Sequence, residues 1–429
     1  MESIRIREIP EHLGEPIELH GWLHNHRSSG GIQFLMVRDG SGVVQSVVKA
    51  ENEAAFRTAE HLSQESAVVV RGTAKADGRA PTGYELSVDE LELVHQAQDY
   101  PITPKEHGVG FLMDHRHLWL RSYYQAPVLR IRHEVMRAIR EYFDGLGFVA
   151  TESPILTSTS VEGTTSLFEV DYFDDTAYLS QSGQLYLEAT AMALGDVYWI
   201  GPTFRAERSK TRKHLTEFWM AEAEMAFCDH ACNLRYQEDL IRFIIQRVLE
   251  RCAPELARLE RDTDRLERAV AEPFARVTYD ESIEILRAAG HEIAWGDDYG
   301  APDEEALAEH FGKPVFVEKF PARMKAFYME PDPANPDVVM AADLLAPEGY
   351  GEIIGGSQRI DDEALLVQKL GEFGLPREPY EWYVDLRRYG SVPHSGFGMG
   401  VERVVAWMAG AEHLRECIPF PRMLYRLTP

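Results

Sequence analysis

Two stretches of the chain combine residue types suited to holding a polyphosphate. Residues 203–227 read TFRAERSKTRKHLTEFWMAEAEMAF. Arg205 and Glu207 stand two apart, a spacing that puts both side chains on one face of a strand. From 208 to 214 every residue is basic or carries a hydroxyl, which suits a loop that closes over phosphate oxygens. Residues 218–225 then alternate apolar side chains with Glu222 and Glu224, the pattern of a half-buried strand. The stretch reads as strand, cationic loop, strand, and an ordinary charged surface hairpin is the competing reading. The second stretch, HSGFGMGVERVVAW (394–407), runs Gly396, Gly398 and Gly400 into an apolar-periodic helix carrying Arg403. Small residues let a nucleotide approach the backbone, and an arginine on the first helical turns can reach its phosphates.

These residues need a scaffold, and length and composition bound it. A chain of 429 residues exceeds one typical core, so two domains are expected. With 45% hydrophobic and 27% charged residues it has an ordinary globular composition. No apolar run reaches membrane-spanning length, and the charged start MESIRIREIPEH is unlike a signal peptide. Cytoplasmic localisation follows as the expectation. Lys plus Arg number 44 against 70 Asp plus Glu, a net charge of −26, which argues against whole-surface nucleic-acid binding but leaves room for a local basic strip. Cys228, Cys232, Cys252 and Cys417 show no metal-ligand pairing and are expected to be buried or incidental thiols in a reducing compartment.

Residues 15–95 read as five short strands with a helix near 51–62, an arrangement expected to close into an OB-type barrel. Such barrels stack single-stranded bases on aromatics over a basic groove, and Phe34, with Arg27 and Gln45 nearby, is the stacking candidate; core packing of Phe34 is the alternative. Residues 99–120 mix Pro, Gly and His and read as a linker. A helix over 129–146 precedes GFVATESPILT, read as a strand ending at Pro154. Helical spacing continues through 229–272, the acidic stretch 292–312 reads as a surface insertion, and 332–337 as a loop. Strands at 338–346 and 350–359, with the 203–227 hairpin, point to a mainly antiparallel sheet flanked by helices, an α+β domain. The late Gly-rich segment lacks a preceding βαβ unit, which excludes a doubly wound dinucleotide fold. The expected division is a barrel at 1–98, a hinge at 99–120 and the α+β domain at 121–429.

The 203–227 hairpin and the 394–407 segment together resemble motifs 2 and 3 of the class II aminoacyl-tRNA synthetases. GEIIGGSQR (351–359), SQSGQLYLEA (180–189) and DLRRYGSVPHSGFGMG (385–400) are similar to the asparaginyl branch of its aspartyl/asparaginyl subgroup. The resemblance implies activation of L-asparagine with ATP and transfer to tRNA(Asn), with release of AMP and diphosphate. Forming an acyl-adenylate brings a carboxylate against the α-phosphate, so cations and positioning are needed more than proton transfer. By this resemblance Arg205 and Arg403 are the catalytic pair, Arg205 on the α-phosphate and Arg403 over the nucleotide. Glu207 would contact the adenine amino group, Phe218 stack on the ring, His214 reach the γ-phosphate and Gly400 give the nucleotide room. Asp343 and Glu352 would hold Mg²⁺, with Gly355 standing where aspartyl relatives often have a Ser ligand. The barrel would bind the anticodon through Arg27, Phe34 and Gln45. The 129–154 region resembles motif 1, which implies a homodimer.

Amino-acid choice rests, on the same resemblance, with Glu162, Gln184, Glu222 and Arg359. Glu162 and Gln184 match residues near the α-amino group, and Arg359 matches the arginine on the side-chain oxygen. Leu187 stands where aspartyl relatives carry a lysine that counters a carboxylate. Glu222 is the candidate acceptor for an amide NH₂ and would repel aspartate, with Glu188 the weaker candidate. Asparagine is therefore the expected substrate. An archaeal-type aspartyl enzyme, discriminating or non-discriminating, and a synthetase-derived asparagine synthetase are the alternatives.

Overall fold

The computed structural model describes residues 2–161 and 167–429. Glu162 lies outside the described residues. Internal contacts divide the chain into two compact units, the first ending at Met113 and the second beginning at Asp114.

In the first unit, strands Pro16–Ser29, Ile32–Arg38, Val43–Lys49, Ala67–Ala76 and Tyr84–His95 form one sheet, with the short Glu2–Ser3 at its margin. Pairing of Pro16–Ser29 with Ala67–Ala76 closes it into a barrel. The Ile32–Arg38 strand alternates strictly: Leu35 and Val37 enter the core, while Phe34, Met36 and Arg38 face outward and are half-buried. Helix Glu53–His61 is capped by Asn52, whose side chain accepts the Ala55 N–H.

The second unit is built on an eight-stranded sheet. Its order is Ala275–Thr278, Val315–Glu318, Ala341–Ala346, Gly351–Gln358, His394–Gly400, Glu217–Ala226, Asp196–Phe204 and Val149–Ala150. Only the two outermost pairings are parallel. Helices Gln125–Gly145, His230–Arg251 and Val401–Ala409 pack on one face, against Ala221, Ala223, Met225, Phe397 and Met399. The period-two rule sends Met220, Glu222 and Glu224 to the other face. There the register sets each of them opposite a glycine: Met220 across from Gly400, Glu222 from Gly398, Glu224 from Gly396. The glycine row is what makes room for this floor. A Cβ at Gly396 would come within 1.9 Å of Glu224 Oε2 and 2.5 Å of the Ala223 carbonyl oxygen.

Buried Glu402 ties the layers together. Its carboxylate accepts from Arg132 Nη1 at 2.7 Å and from the Trp219 N–H at 2.9 Å, joining a flanking helix, the floor strand and the helix that carries Arg403.

Several sequence expectations need correction. Arg205 and Glu207 are not on a strand: the strand ends at Phe204, and both lie in the loop beyond it. Pro154 ends no strand, because Val149–Ala150 is only two residues long and a second short strand, Leu156–Thr157, follows it. The 99–120 stretch contains two short helices, Val109–Asp114 and Arg116–Trp119. Residues 331–339 form a two-stranded hairpin rather than a loop. Cys228 and Cys232 are joined as a disulfide at the start of helix His230–Arg251, and Cys252 and Cys417 are buried free thiols. Spacing alone could not reveal the pair, since four residues apart fits a shared helix face as well as a bridge across a helix start.

Gly396→Ala tests the glycine row. Its Cβ meets backbone as well as a carboxylate, so the variant should lose about 2–3 kcal/mol in urea unfolding, the upper range of overpacking costs. An unchanged midpoint would show that the floor has slack.

Candidate active site and nucleic-acid interface

Two adjoining cavities open on the glycine-backed face, sharing Arg205, Met220, Glu352 and Gly398 in their walls. The first is lined by Arg205, Glu207, His214, Phe218, Glu352, Gly400 and Arg403, all seven nucleotide candidates of the sequence. The Arg205 guanidinium lies 5.4 Å from the Phe218 ring centroid, so ring and cation share one wall. Arg403 donates to the Glu352 carbonyl oxygen and lies 3.8 Å from its carboxylate. His214 is bonded to Thr211 and stands 3.9 Å from Glu207. Burial and the nearby Arg403 push the His214 pKa down. The loop itself is pinned: Lys213 Nζ donates to Glu304 Oε2 at 3.2 Å.

The second cavity, about 440 Å³, is lined by Gln184, Leu187, Glu222, Arg359, Asp343 and Glu352 among others. Arg359 is 3% exposed and pairs bidentately with Glu224, Nε to Oε1 and Nη2 to Oε2 at 3.0 Å each, while Nη1 donates to Ser357 at 2.7 Å. A guanidinium has five N–H donors, so two remain for a ligand. Glu222 accepts the Gly183 N–H on Oε2 at 2.8 Å, and its buried Oε1 makes no hydrogen bond among the described residues. Burial pushes the Glu222 carboxyl up to about 7, against the pull of Ser182, the Gly183 N–H and Arg359. Leu187 packs with Ala191, Val197 and Trp199 and also borders the cavity, so it is both core and wall.

Glu188 is not available to a ligand. It is fully buried and accepts from Gln184, Tyr383, Arg387 and His394. Burial alone would raise its carboxyl, but Arg387, His394 and Arg359 overcome that and hold it well below the usual range. Glu188, Glu224 and His394 converge within 4.8 Å, as metal ligands would. Arg359 and Arg387 already supply the positive charge there, so the cluster does not suit a cation.

Asp343 and Glu352 suit one better. A Cβ at Gly355 would lie 3.1 Å from Glu352 Oε1 and 3.5 Å from Asp343 Oδ1, so the two carboxylates converge over a glycine cradle. Two protein oxygens, with phosphate and water oxygens completing the shell, match what Mg²⁺ takes.

The 292–312 stretch, expected as a surface insertion, contributes to both cavities: Asp298 lines the second and Glu304 anchors the cationic loop beside the first. Lys325, which no motif singled out, donates to Asp343 Oδ2 at 2.6 Å. Neither contribution had a local signal, because both depend on which distant strands pair.

In the first unit, Arg27, Phe34 and Gln45 come together on the barrel's outer face. The Arg27 guanidinium lies 4.3 Å over the Phe34 ring and donates to Gln45 Oε1 at 3.4 Å, and Gln45 donates to Glu85 at 3.1 Å. Phe34 is absent from the barrel core, which disposes of the packing reading.

Residues 109–424 match the family model of class II tRNA synthetases (D, K and N), and residues 17–94 that of the OB-fold nucleic acid binding domain. The chain is 56% identical to the asparagine–tRNA ligase of Pelotomaculum thermopropionicum over 431 residues, covering both chains in full. It is equally, 56%, identical to that of Symbiobacterium thermophilum, again with both chains fully covered. The asparaginyl-tRNA synthetase of Pyrococcus horikoshii complexed with asparaginyl-adenylate is similar with a TM-score of 0.95 at 44% identity, with 100% of each chain covered. That from Entamoeba histolytica, in complex with asparaginyl-adenylate, gives 0.90 at 31% identity, covering 100% of this chain and 99% of the other. With both units matched and relatives aligned end to end, the chain belongs to the asparaginyl-tRNA synthetases of the class II family.

Proposed function

We propose that this protein activates L-asparagine with ATP and passes the asparaginyl group to tRNA(Asn). The observation that carries the reading is the junction at Arg205 between a cavity walled by an aromatic ring and arginines and one offering Arg359 beside Glu222 Oε1, which has no hydrogen-bond partner among the described residues. An amide needs a donor for its oxygen and an acceptor for its NH₂, and that pair supplies both. Aspartate would set a second anion against Glu222, and Leu187 offers it no counter-charge.

In the reaction a carboxylate oxygen of asparagine bonds to the α-phosphorus while the bond to the bridging oxygen breaks, and diphosphate leaves. Arg205, on the shared wall, holds a non-bridging α-oxygen and the incoming carboxylate together, lowering their repulsion. Phe218 and Arg403 sandwich the adenine, Glu207 accepts from its amino group, His214 meets the γ-phosphate, and Gly400 keeps the backbone close. Gln184 and Glu162 orient the α-amino group. Asp343 and Glu352 would hold Mg²⁺, which neutralises charge on the departing diphosphate. A terminal tRNA hydroxyl then attacks the acyl carbon and AMP departs. In the barrel, Arg27, Phe34 and Gln45 take an anticodon base by stacking and edge hydrogen bonds.

The same reading extends to assembly and location. Leu146, Val149, Ile155 and Leu156 are exposed around the edge strand Val149–Ala150, an apolar strip that a second copy would cover in a homodimer. Among the described residues no helix is long and apolar enough to cross a membrane. We assign the protein to the cytoplasm, with functional boundaries at 1–98, 99–120 and 121–429.

Three experiments test these roles. Arg205→Ala and Arg403→Ala should each lower asparagine-dependent ATP–pyrophosphate exchange by about 3–4 kcal/mol in apparent barrier, with cooperative unfolding retained. More than a tenth of wild-type rate in either variant would remove that residue from the chemistry. Phe34→Ala should weaken tRNA aminoacylation by about 1–3 kcal/mol in kcat/KM and leave exchange untouched. Equal loss in both assays would tell against an anticodon role. Finally, Glu222 repels aspartate only when ionised and accepts from an amide most strongly in that form, and burial pushes its carboxyl up to about 7. The asparagine-to-aspartate ratio in exchange should therefore fall about tenfold from pH 8 to pH 6 as the carboxylate protonates. Glu222→Gln should flatten this dependence; a wild-type ratio that does not move with pH would count against Glu222.

A further inference from the structure

Lys325 has no part in the chemistry assigned so far, yet it lines the second cavity together with Asp298, Asp343 and Glu352. It follows the short turn Ala322–Met324, and its Nζ lies 3.7 Å over the Phe320 ring and 2.6 Å from Asp343 Oδ2. The sheet fixes this meeting: Val317 pairs with Asp343 across strands, and the chain leaving Val315–Glu318 turns back over Asp343. Side-chain exposure is 18% for Lys325 and 17% for Asp343, so the pair is poorly solvated. Asp298 also lines this cavity, and Glu352 converges on Asp343 over Gly355.

A univalent cation thus sits on one of the two carboxylates to which the proposed function gives a divalent one. We infer that Lys325 is a tethered counter-ion that holds the Asp343–Glu352 pair together in the nucleotide-free enzyme and makes divalent-metal binding there conditional on ATP. The inference rests on the metal reading of Asp343 and Glu352. Two half-buried carboxylates with no cation between them repel, and the ammonium relieves that without closing the site. A metal arriving alone finds only two protein oxygens, one of whose carboxylates is already paired, and a fixed positive charge beside it. A metal arriving on a triphosphate brings its own oxygen ligands and negative charge, which offset the repulsion from Lys325. A neutral residue at 325 would leave Asp343 without its cation, with Arg403 3.8 Å from Glu352 as the remaining one, and the pair more open to metal without nucleotide.

Mn²⁺ binding to the full-length protein, followed by electron paramagnetic resonance of the free ion, tests this without any turnover. Wild type should bind Mn²⁺ at least about tenfold more tightly with a non-hydrolysable ATP analogue than without it, a coupling of ordinary size. Lys325→Met, and Lys325→Gln as the better-solvated variant, should tighten binding of Mn²⁺ alone by about tenfold and shrink the gap between the two conditions. Lys325→Arg should behave as wild type. If wild type already binds Mn²⁺ equally well without the analogue, the proposal falls whether or not the variants fold. It falls too if folded Met or Gln variants bind Mn²⁺ alone no more tightly. Asp343→Asn separates the two layers: it should abolish the analogue-dependent Mn²⁺ site, and retention of that site would bring down the metal reading and the inference together.

Discussion

Burial of Arg359 is the constraint on which the rest of the catalytic unit depends. A guanidinium at 3% exposure is tolerable only if its charge and donors are met, and Glu224 meets them bidentately with Ser357 beside it. Glu224 is then a buried carboxylate on a central strand, and it fits because Gly396 lies across from it. Glu188, 4.0 Å from Arg359, adds a second buried negative charge, which Arg387 compensates while Tyr383 and His394 hydrogen-bond to it. Removing one member of such a set leaves an uncompensated buried charge, a loss of about 3–5 kcal/mol. The arginine is therefore rigid, and a rigid donor can discriminate between an amide and a carboxylate.

That rigidity explains why the neighbouring carboxylate behaves differently. Glu222 lies two residues before Glu224 on the same face, yet among the described residues no guanidinium is bonded to it. Its remaining oxygen has no hydrogen-bond partner among the described residues, and burial lifts its pKa far above that of an ordinary glutamate. One strand thus presents two glutamates two residues apart, one saturated by protein and the other awaiting a ligand. The saturated one fixes geometry, and the other is the one to which we give the choice of substrate.

How much of this the sequence contained can be judged residue by residue. The 203–227 hairpin, the glycine segment and the barrel were readable because alternation and turn residues are local signals, and the OB-fold and class II units are both present. The strand placement of Arg205 and Glu207 failed because the chain leaves the sheet at Phe204, although the Arg205 N–H still bonds to the Thr216 carbonyl oxygen at 3.0 Å. Lys325, Asp298 and Glu304 were invisible for a different reason. Each looks like a surface charge in its own segment, and only the pairing of Val315–Glu318 with Ala341–Ala346 and the docking of helix Ala301–Phe311 bring them inward. Glu188 was misjudged as a ligand group for the same reason, since its partners Tyr383, Arg387 and His394 come from about 200 residues away in the chain.

The net charge of −26, at odds with a polyphosphate substrate at first sight, is reconciled at the level of single pairs. Lys213 rests on Glu304, Lys325 on Asp343 and Arg403 beside Glu352. A nucleotide does not meet bare cations; it competes with carboxylates for them, so much of the Coulombic gain is offset by the pairs it breaks. What distinguishes a triphosphate carrying a metal from any other anion is that it delivers a replacement cation to the carboxylates it displaces. An acidic protein can in this way hold a phosphate site that stays closed to simple anions, because the acid residues are themselves half of the binding exchange.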